Sequence, residues 1–583
     1  MNFYKVEKEE KNSSRRVILK FFETTDVHGN FVGYDFINNH SYQGGLGKVD
    51  AYVRRQRKLW GKEHCILMDG GDVLEGQPCA HYANFVEKSP CHLAADVMNF
   101  MEYDVAALGN HDFEVGHEVY DKWISSANFP VLGANIVRDD NQQPYTEPYT
   151  VLEKDGIRIA VLGLITPAIP MWLPQKFWSG IHFDDIVESA CYWVEKIRKE
   201  VHPDVMVGLF HTGLKEEGLN GFNENAAEEI ATDVPGFDVI FFGHDHRPCA
   251  QEVENKADGR EVLLLNAGGA TLHVAEAQLV CFVSEQGVKV EHKCGQLVSV
   301  VDYPVDLAFA KRYAGFKKEV KHFVSQKIGK LVTPVNAADY FFGPSALGDL
   351  LHMVQLKDRY ADISLSAPLT YDEVVAPGDV RIRDIFKLYR YENLIEVFRF
   401  TGKEIRGALE RSYDLLTDVG AEDAVGKVFY ITFSHKNFYL GAFSPFLITA
   451  AGIEYEVDLN KPMGEKVSIL RMADGTPFDY DREYRVAVNS YIGSGGGGIL
   501  TDGAGLTLKE LAAKCLLITQ QDIRTCIINY FKEAKEPVVI PSLTNWRYVC
   551  DKETEDALSA DKKLLWPDSS KPSKGNEKIT VIK

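Results

Sequence analysis

Three features that would point to other protein classes are missing from this sequence of 583 residues. Its ten cysteines are scattered and form no Cys-x-x-Cys pair, which argues against a disulfide framework or a zinc knuckle. No apolar run reaches the roughly 18 residues that a membrane helix needs. Basic residues are in the minority, with 64 Lys and Arg against 84 Asp and Glu and a net charge of −20. The sequence therefore predicts no membrane as partner. It also predicts no nucleic acid polymer as partner, because such polymers bind clustered positive charge.

The start of the chain also has little of what an export signal needs. Met1–Arg16 is polar and charged, and the first apolar run, Val17–Phe22, is shorter than a signal-peptide core. We expect a disordered arm at this end and no export signal in the sequence as given. The cellular location stays open, as does any protein partner, for which the sequence has no evident signal.

What the sequence does contain, from about residue 17 to 301, is an alternation of short apolar runs and amphipathic stretches. Runs such as Val205–Phe210 predict buried strands, and stretches such as Gly47–Trp60 predict helices. The fold class is therefore α/β. We predict a first domain over residues 17–305, a linker helix over 306–327, a second α/β domain over 328–548 and a polar, poorly ordered tail over 549–583.

Five of the predicted strands end on side chains that bind metal ions. The carboxyl ends of strands form the ligand site in open α/β sheets, so these five ends can converge. In chain order the residues are Asp26 and His28, then Asp72, then Asn110 and His111, then His211, and finally His244 and His246.

This mixture of nitrogen and oxygen ligands suits two divalent cations about 3.5–4 Å apart that share one carboxylate. Asp72 is the predicted bridge. We name the two predicted ion sites by their ligands: site A is Asp26, His28, Asp72 and His246, and site B is Asp72, Asn110, His211 and His244. Glycines beside these ligands would let the backbone pass close to the ions.

His111 follows the ligand Asn110 but is not assigned to an ion. We predict that it acts as a general acid or stabilises charge on a phosphoryl group. Asp112 or Glu114 is expected to fix its tautomer. The predicted catalytic residues are thus His111, Asn110, Glu114 and Asp112.

The motifs Asp-x-His, Gly-Asp, Gly-Asn-His-Asp, His and Gly-His-x-His resemble those of the calcineurin-like metallophosphoesterases. Within them, the chain from about Val17 to Arg547 is similar to the 5′-nucleotidase and 2′,3′-cyclic-nucleotide 2′-phosphodiesterase family. The stretches Leu388–Leu394 and Asn489–Gly498 resemble the cyclic phosphodiesterase/3′-nucleotidase branch of this family. The 5′-nucleotidase branch typically carries an Asn-Gly-Gly-Gly-x-Arg segment, which residues 365–370 lack. In many members the residue three after the histidine of the Gly-Asn-His motif is Asp, whereas here it is Glu114.

The resemblance implies an N-terminal four-layer αββα sandwich, joined by a linker helix to a C-terminal α/β substrate domain that faces the metals across a cleft. It implies two divalent ions, such as Mn²⁺ or Zn²⁺, and a family whose members are usually exported. It also implies that a nucleotide base stacks on Tyr491, with Phe446 as a candidate second ring. For Phe446, a position in the hydrophobic core is the alternative.

The leading hypothesis is an enzyme that hydrolyses 2′,3′-cyclic nucleotides and nucleoside monophosphates with metal-activated water. The enzymatic alternative is a 5′-nucleotidase that also splits UDP-sugars. A protein phosphatase would not need the second domain. The non-enzymatic alternative is a nucleotide-binding protein with an inactive metal domain, which the complete set of metal ligands disfavours.

Overall fold

The computed structural model describes residues 14–215, 222–358, 360–417, 424–434, 437–440 and 447–566. The chain divides into two compact units. Unit 1 comprises Met1–Ile169 with Gln175–Lys321, and unit 2 comprises Pro170–Pro174 with His322–Lys583. Among the helices of the described residues, none is both long and apolar enough to cross a membrane.

Unit 1 is built on two six-stranded sheets. In spatial order, the strands of sheet 1 are Gly287–Ser299, His273–Ser284, Arg15–Thr24, Cys65–Asp69, Val105–Ala107 and Val131–Leu132. The strands of sheet 2 are Cys249–Glu254, Glu261–Asn266, Val239–Phe242, Val205–His211, Ile157–Ile165 and Tyr149–Lys154. Two short pairs accompany them, Tyr34–Asp35 with His40–Ser41 and Ile136–Arg138 with Ile181–Phe183.

The apolar runs bury both faces of these sheets. Along one strand, Ile159 and Val161 belong to the core between the sheets, whereas Ala160 and Leu162 belong to the core under the outer helices. The sequence of a strand that is buried on both faces is a nearly continuous apolar run. This arrangement confirms the predicted αββα sandwich.

The α-helices of unit 1 flank the sheets and connect their strands. They are Leu46–Trp60, Pro78–His81, Leu93–Met101, Asn110–Glu114, His117–Ser126, Ile186–Glu200, Ala227–Asp233 and Leu307–Arg312, with Ala314–Ser325 crossing into unit 2. The helix Ile186–Glu200 shows how capping and burial define such a helix. Asp185 caps it by accepting hydrogen bonds from the amides of Val187 and Glu188, and its face with Ala190 and Ile197 is buried.

The pairing between neighbouring strands sets where their ends lie. Arg15–Thr24, Cys65–Asp69 and Val105–Ala107 run parallel in sheet 1, and Val205–His211 and Val239–Phe242 run parallel in sheet 2. Parallel strands present their carboxyl ends at the same edge of a sheet. The five strands that carry the predicted ligands therefore end together within each sheet.

Unit 2 contains a five-stranded sheet in the order Thr449–Ala451, Ile363–Ser366, Glu483–Asn489, Leu394–Thr401 and Cys515–Asp522. A three-stranded sheet is formed by Val467–Met472, Ile453–Val457 and Trp546–Tyr548. Three strand pairs are Lys327–Leu331 with Gly378–Arg381, Val335–Asn336 with Val374–Val375, and Ile431–Ser434 with Asn437–Leu440. Its further α-helices are Ala346–Leu356, Ile382–Leu388, Gly402–Leu416, Ser490–Gly493, Leu508–Lys514, Ile523–Glu533 and Lys552–Leu565.

The stretch expected to be one linker helix is two helices, Leu307–Arg312 and Ala314–Ser325. Tyr313 lies between them with φ −97° and ψ 9°, outside helical geometry. Its hydroxyl and the Arg312 guanidinium both donate to the carboxylate of Asp96. These contacts hold the interruption in place, and the periodicity of the sequence does not reveal them.

The prediction of a poorly ordered tail is wrong for residues 552–565, which form a helix. The reason is a buried carboxylate. Asp561 is 0% exposed and accepts hydrogen bonds from three consecutive backbone amides, those of Lys427, Val428 and Phe429, at 2.7–2.9 Å. The helix is thereby fixed to the loop that precedes Ile431–Ser434.

We expect Asp561→Ala to destabilise unit 2, because one buried and two partly buried amides lose their acceptor, and an unsatisfied buried group costs about 1–3 kcal/mol. Asp556→Ala, at an exposed position of the same helix, is the matched control and should leave unfolding unchanged. Thermal and urea unfolding would measure both variants. Equal stability of the two would show that the carboxylate does not hold the helix.

Candidate metal centre

The seven predicted ligands converge at the strand ends of unit 1. In site A, His28 Nε2 lies 3.0 Å from His246 Nε2, and His246 Nε2 lies 3.1 Å from Asp26 Oδ1. His28 Nε2 is also 3.8 Å from Asp72 Oδ2. One ligand atom from each of these four residues lies within 4.8 Å of the others. A single cation can therefore contact all four.

The residues of site B meet around the side chain of Asn110. Its Oδ1 lies 2.8 Å from His244 Nδ1 and 3.1 Å from His211 Nε2. His211 Nε2 is also 3.1 Å from Asp72 Oδ2. Asp72 is thus next to both groups, at the position that was predicted for the bridging carboxylate.

The chemistry of these groups fits a pair of cations. The Nε2 atoms of His28 and His246 lie 3.0 Å apart, so one ring can donate to the other, or both can turn a lone pair toward one shared ion. Asp72 Oδ2 is buried, and no donor among the described residues is aligned on it for a hydrogen bond. Nitrogen and oxygen donors with a buried, unsatisfied carboxylate oxygen are what a divalent ion of intermediate softness requires.

Backbone strain is concentrated at the ligand positions. Five of the seven ligands have φ between 46° and 73°, in the left-handed region: Asp26, His28, Asp72, His244 and His246. Non-glycine residues adopt this region rarely, at a cost of about 1–3 kcal/mol each, and such residues cluster at functional sites. The fold therefore holds these side chains in place against a local preference for other conformations.

Glycines beside the ligands allow this close approach of backbone segments. A Cβ on Gly109 would lie 2.2 Å from Asp72 Oδ1, and a Cβ on Gly243 would lie 2.7 Å from Asp26 Oδ2. Real Cβ atoms do not approach heavy atoms this closely. The glycines of the Gly-Asn-His-Asp and Gly-His-x-His motifs are thus required by space.

In three of the four histidines of sites A and B, the outer ring nitrogen, which points away from the predicted ion, also has a partner. His211 Nδ1 lies 2.7 Å from the Gly70 carbonyl oxygen, and His28 Nδ1 lies 3.2 Å from the Glu75 carbonyl oxygen. His244 Nε2 instead meets a carboxylate, Glu224 Oε1, at 2.9 Å. Glu224 was not identified from the sequence. It lies 20 residues before His244, and no motif around it indicates that the two side chains meet.

His111 lies beside site A, with its ring centroid 5.3 Å from that of His28. Its Nδ1 is 2.8 Å from Glu114 Oε1. Burial would lower the pKa of His111, but the carboxylates of Glu114 and Asp72 outweigh it and raise this pKa to about 10. Of the two acids expected to orient the ring, the structure pairs Glu114 with it.

Asp112 has a different place from the one expected. Its carboxylate is fully buried and accepts four backbone amides, those of Gly109, Asp72, Val73 and Leu74, at 2.8–3.0 Å. None of these contacts involves the ring of His111. The expectation that Asp112 orients His111 is therefore corrected: Asp112 ties the loop of Asp72 to the loop of Asn110.

The buried carboxylates of the centre are kept in the charged form by histidines. Burial pushes the pKa of Asp26 upward, but His246 and His211 bring it well below its usual range. His211 and His111 do the same to the pKa of Asp72. Burial, together with His246, lowers the pKa of His28 to about 3. Anionic oxygens and the neutral imidazole of His28 are in the forms that bind cations. Burial lowers the pKa of His211, but Asp72 and Asp26 outweigh it and raise this pKa to about 9, so His211 would release a proton when it binds an ion.

The predicted substrate residues belong to unit 2. Tyr491 is half-buried in the short helix Ser490–Gly493, and Phe446 lies outside the described residues. A Cβ on Gly496 would lie 2.5 Å from Tyr491 Cε1, so the glycine run packs directly on this ring. Ser490 Oγ accepts the amide of Leu394 at 3.0 Å. The two stretches Leu388–Leu394 and Asn489–Gly498 are therefore neighbours.

Two family models match the chain: calcineurin-like phosphoesterase over residues 19–248, and the 5′-nucleotidase C-terminal domain over residues 327–502. The trifunctional nucleotide phosphoesterase protein YfkN of Bacillus subtilis is 25% identical over 554 residues, which is 84% of this chain but 36% of that protein. A 2′,3′-cyclic-nucleotide 2′-phosphodiesterase/3′-nucleotidase of Haemophilus influenzae is 25% identical over 541 residues, covering 82% of this chain and 80% of that one. A Staphylococcus aureus protein, crystallised with alpha-ketoglutarate, shares the fold with a TM-score of 0.73 and 20% identity, over 91% of this chain and 99% of that one.

The glycine geometry gives a direct test of the centre. We expect Gly109→Ala to abolish metal binding at site B, because its Cβ would overlap Asp72 Oδ1 and the Asp72 amide, 2.2 and 2.4 Å away. Gly315→Ala, in a helix with no atom within 4 Å of the new Cβ, is the control for an added methyl group. Elemental analysis after dialysis would give the ions per chain. A Gly109→Ala protein with the ion content of the control would refute the geometry.

Proposed function

The chain belongs to the calcineurin-like phosphoesterases that carry a 5′-nucleotidase C-terminal domain, and we therefore propose that it hydrolyses phosphate esters of nucleotides. The proposed substrates are 2′,3′-cyclic nucleotides and nucleoside monophosphates. The single observation that carries the proposal is the convergence of two overlapping ligand sets on the shared carboxylate of Asp72.

Asp26, His28, Asp72 and His246 would hold one divalent ion, and Asp72, Asn110, His211 and His244 would hold the second. Such ions, when bound, supply a water of lowered pKa and positive charge next to phosphoryl oxygens. The identity of the ions, for which Mn²⁺ and Zn²⁺ are our candidates, belongs to the proposal.

His111 would donate a proton to the leaving oxygen or stabilise the charge on the phosphoryl group. Its ring lies at the edge of site A, and its Nδ1 contacts the carboxylate of Glu114. The contact with Glu114 stabilises the protonated ring, which is the form that can donate. Glu114 would orient the ring, and the Glu in place of the usual Asp is compatible with this contact at 2.8 Å.

Recognition of the base is proposed for unit 2, because the 5′-nucleotidase C-terminal domain over residues 327–502 includes Tyr491. Tyr491 offers a flat ring supported by the glycine run. A ring of this kind stacks on any base. The relatives from Bacillus and Haemophilus are named for activity on nucleotides, which supports this class of substrate.

The proposal is tested with a hydrolysis panel of 2′,3′-cyclic AMP, 3′-AMP, 5′-AMP, a UDP-sugar and a base-free phosphate ester, assayed with Mn²⁺. We expect the cyclic nucleotide and 3′-AMP to be the best substrates. Tyr491→Ala should raise KM for them by the equivalent of about 1–3 kcal/mol, because stacking is made in both the ground and transition states. The base-free ester should be hydrolysed with unchanged parameters.

Tyr491→Phe is the matched control for this panel, because it keeps the ring and should behave like the parent. A preference for 5′-AMP and the UDP-sugar would favour the 5′-nucleotidase alternative. Equal losses on nucleotides and on the base-free ester would assign the ring a structural role. An inactive parent that binds two ions would leave only the nucleotide-binding alternative.

The role of His111 gives a separate prediction. His111→Ala should keep both ions and lose about 10²–10⁴-fold in kcat, with a smaller loss for a nitrophenyl ester whose leaving group needs no proton. Glu114→Gln removes the carboxylate that raises the pKa of His111, so the protonated form is lost at lower pH. We therefore expect the alkaline limb of the pH–rate profile to move to lower pH.

Rates across pH for both variants, with metal content measured in parallel, check this prediction. Equal losses for good and poor leaving groups would contradict proton donation and leave charge stabilisation as the role. An unchanged alkaline limb in Glu114→Gln would show that another group sets it.

A further inference from the structure

His244 is held differently from the other histidines whose outer nitrogens have a described partner. His211 and His28 direct those nitrogens at the backbone carbonyl oxygens of Gly70 and Glu75, and the Glu75 carboxylate lies 3.8 Å from His28 Nδ1, beyond hydrogen-bond distance. His244 Nε2 is 2.9 Å from a carboxylate oxygen of Glu224, in a partly buried contact. A carboxylate carries a full negative charge and a carbonyl only a dipole, so the imidazole of His244 is polarised more strongly.

This contact decides which nitrogen of His244 is available to an ion. Its Nδ1 faces site B, 2.8 Å from Asn110 Oδ1, so an ion there would be bound through Nδ1. Nδ1 has a free lone pair in the neutral ring only if the proton is on Nε2. Glu224 can only accept a hydrogen bond when ionised, and it therefore selects the tautomer that binds the ion.

The fold places Glu224 by contacts with the strand end that carries His211. The Thr212 hydroxyl donates to the Glu224 carbonyl oxygen at 2.7 Å and accepts the amide of Ala226 at 2.9 Å. Thr212 is 0% exposed and directly follows His211. The segment that carries Glu224 is thus bonded to the residue after His211, while the Glu224 carboxylate contacts His244.

We propose that Glu224 is a positioning residue that orients and polarises His244 and thereby sets the affinity of site B for its ion. The inference rests on the proposed function only in taking the centre as dinuclear. Partners of this kind behind a metal-binding histidine typically change metal affinity by about 10–100-fold. The carboxylate of Glu224 contacts His244 of site B, so we expect the affinity of site A to change less than that of site B.

The test uses the full chain and measures metal binding directly. Parent and variants are stripped of metal and titrated with Mn²⁺, with calorimetry for affinity and EPR for the spin coupling of a paired centre. Glu224→Gln keeps a hydrogen-bond acceptor but removes the charge, and we expect the weaker ion to bind about 10-fold less tightly. Glu224→Ala removes both, and we expect a loss of up to about 100-fold, with one ion per chain after dialysis.

Glu229→Gln is the matched control, because this exposed acid on the following helix contacts Asn223 and lies on the same segment. It should bind two ions like the parent. Excess Mn²⁺ should restore activity to Glu224→Gln, whereas a variant damaged in catalysis alone would not respond. Thermal unfolding of the metal-free proteins should be the same in parent and Glu224→Gln.

Three results would overturn the inference: unchanged Mn²⁺ affinity in Glu224→Ala, equal weakening of both ions, or a lower unfolding temperature of metal-free Glu224→Gln. Failure of the proposed function would look different. A parent that binds two ions but hydrolyses no nucleotide would refute the function and leave the role of Glu224 intact. A parent that binds a single ion would refute both.

Discussion

A carboxylate that is withdrawn from water needs positive charge or hydrogen-bond donors nearby, and at Asp72 this need organises one end of unit 1. Its Oδ1 accepts the amide of His111, while Oδ2 lies close to the imidazoles of His211 and His28. These groups come from three separate strand ends, and Asp72 itself comes from a fourth. Because they share one acceptor, a shift of any of these segments changes the surroundings of both ion sites.

The backbone around Asp72 is held by hydrogen bonds within the protein. The four amides that Asp112 accepts join the loops of Asp72 and Asn110, and Gly109 lets the two segments touch. The left-handed conformations at five ligands are tolerated because this surrounding network determines them. A preorganised ligand set of this kind costs stability locally, and the large buried sandwich beneath it offsets that cost.

Unit 2 uses the same physical device, a buried charge that holds a loop, at two other places. Arg524 is 1% exposed, donates to the Arg390 carbonyl oxygen at 3.0 Å and pairs with Glu392 at 2.9 Å. It thereby holds the turn that precedes Leu394–Thr401. Asp561 holds residues 427–429 in a comparable way. In both cases the partner lies more than a hundred residues away, so the loop conformation depends on the complete unit.

The sequence by itself determined the α/β class, the two α/β parts and the convergence of seven predicted ligands, because apolar runs that end on Asp, Asn and His indicate strands whose carboxyl ends meet. The four-layer sandwich was implied by the family resemblance of its motifs. Tertiary structure alone decided which acid serves which partner: Glu114 with His111, Asp112 with four amides, and Glu224 with His244. It also decided the break at Tyr313 and the helix at 552–565. The physical reason is that a carboxylate binds whatever donors the fold brings within about 3 Å, and distance in sequence does not indicate them.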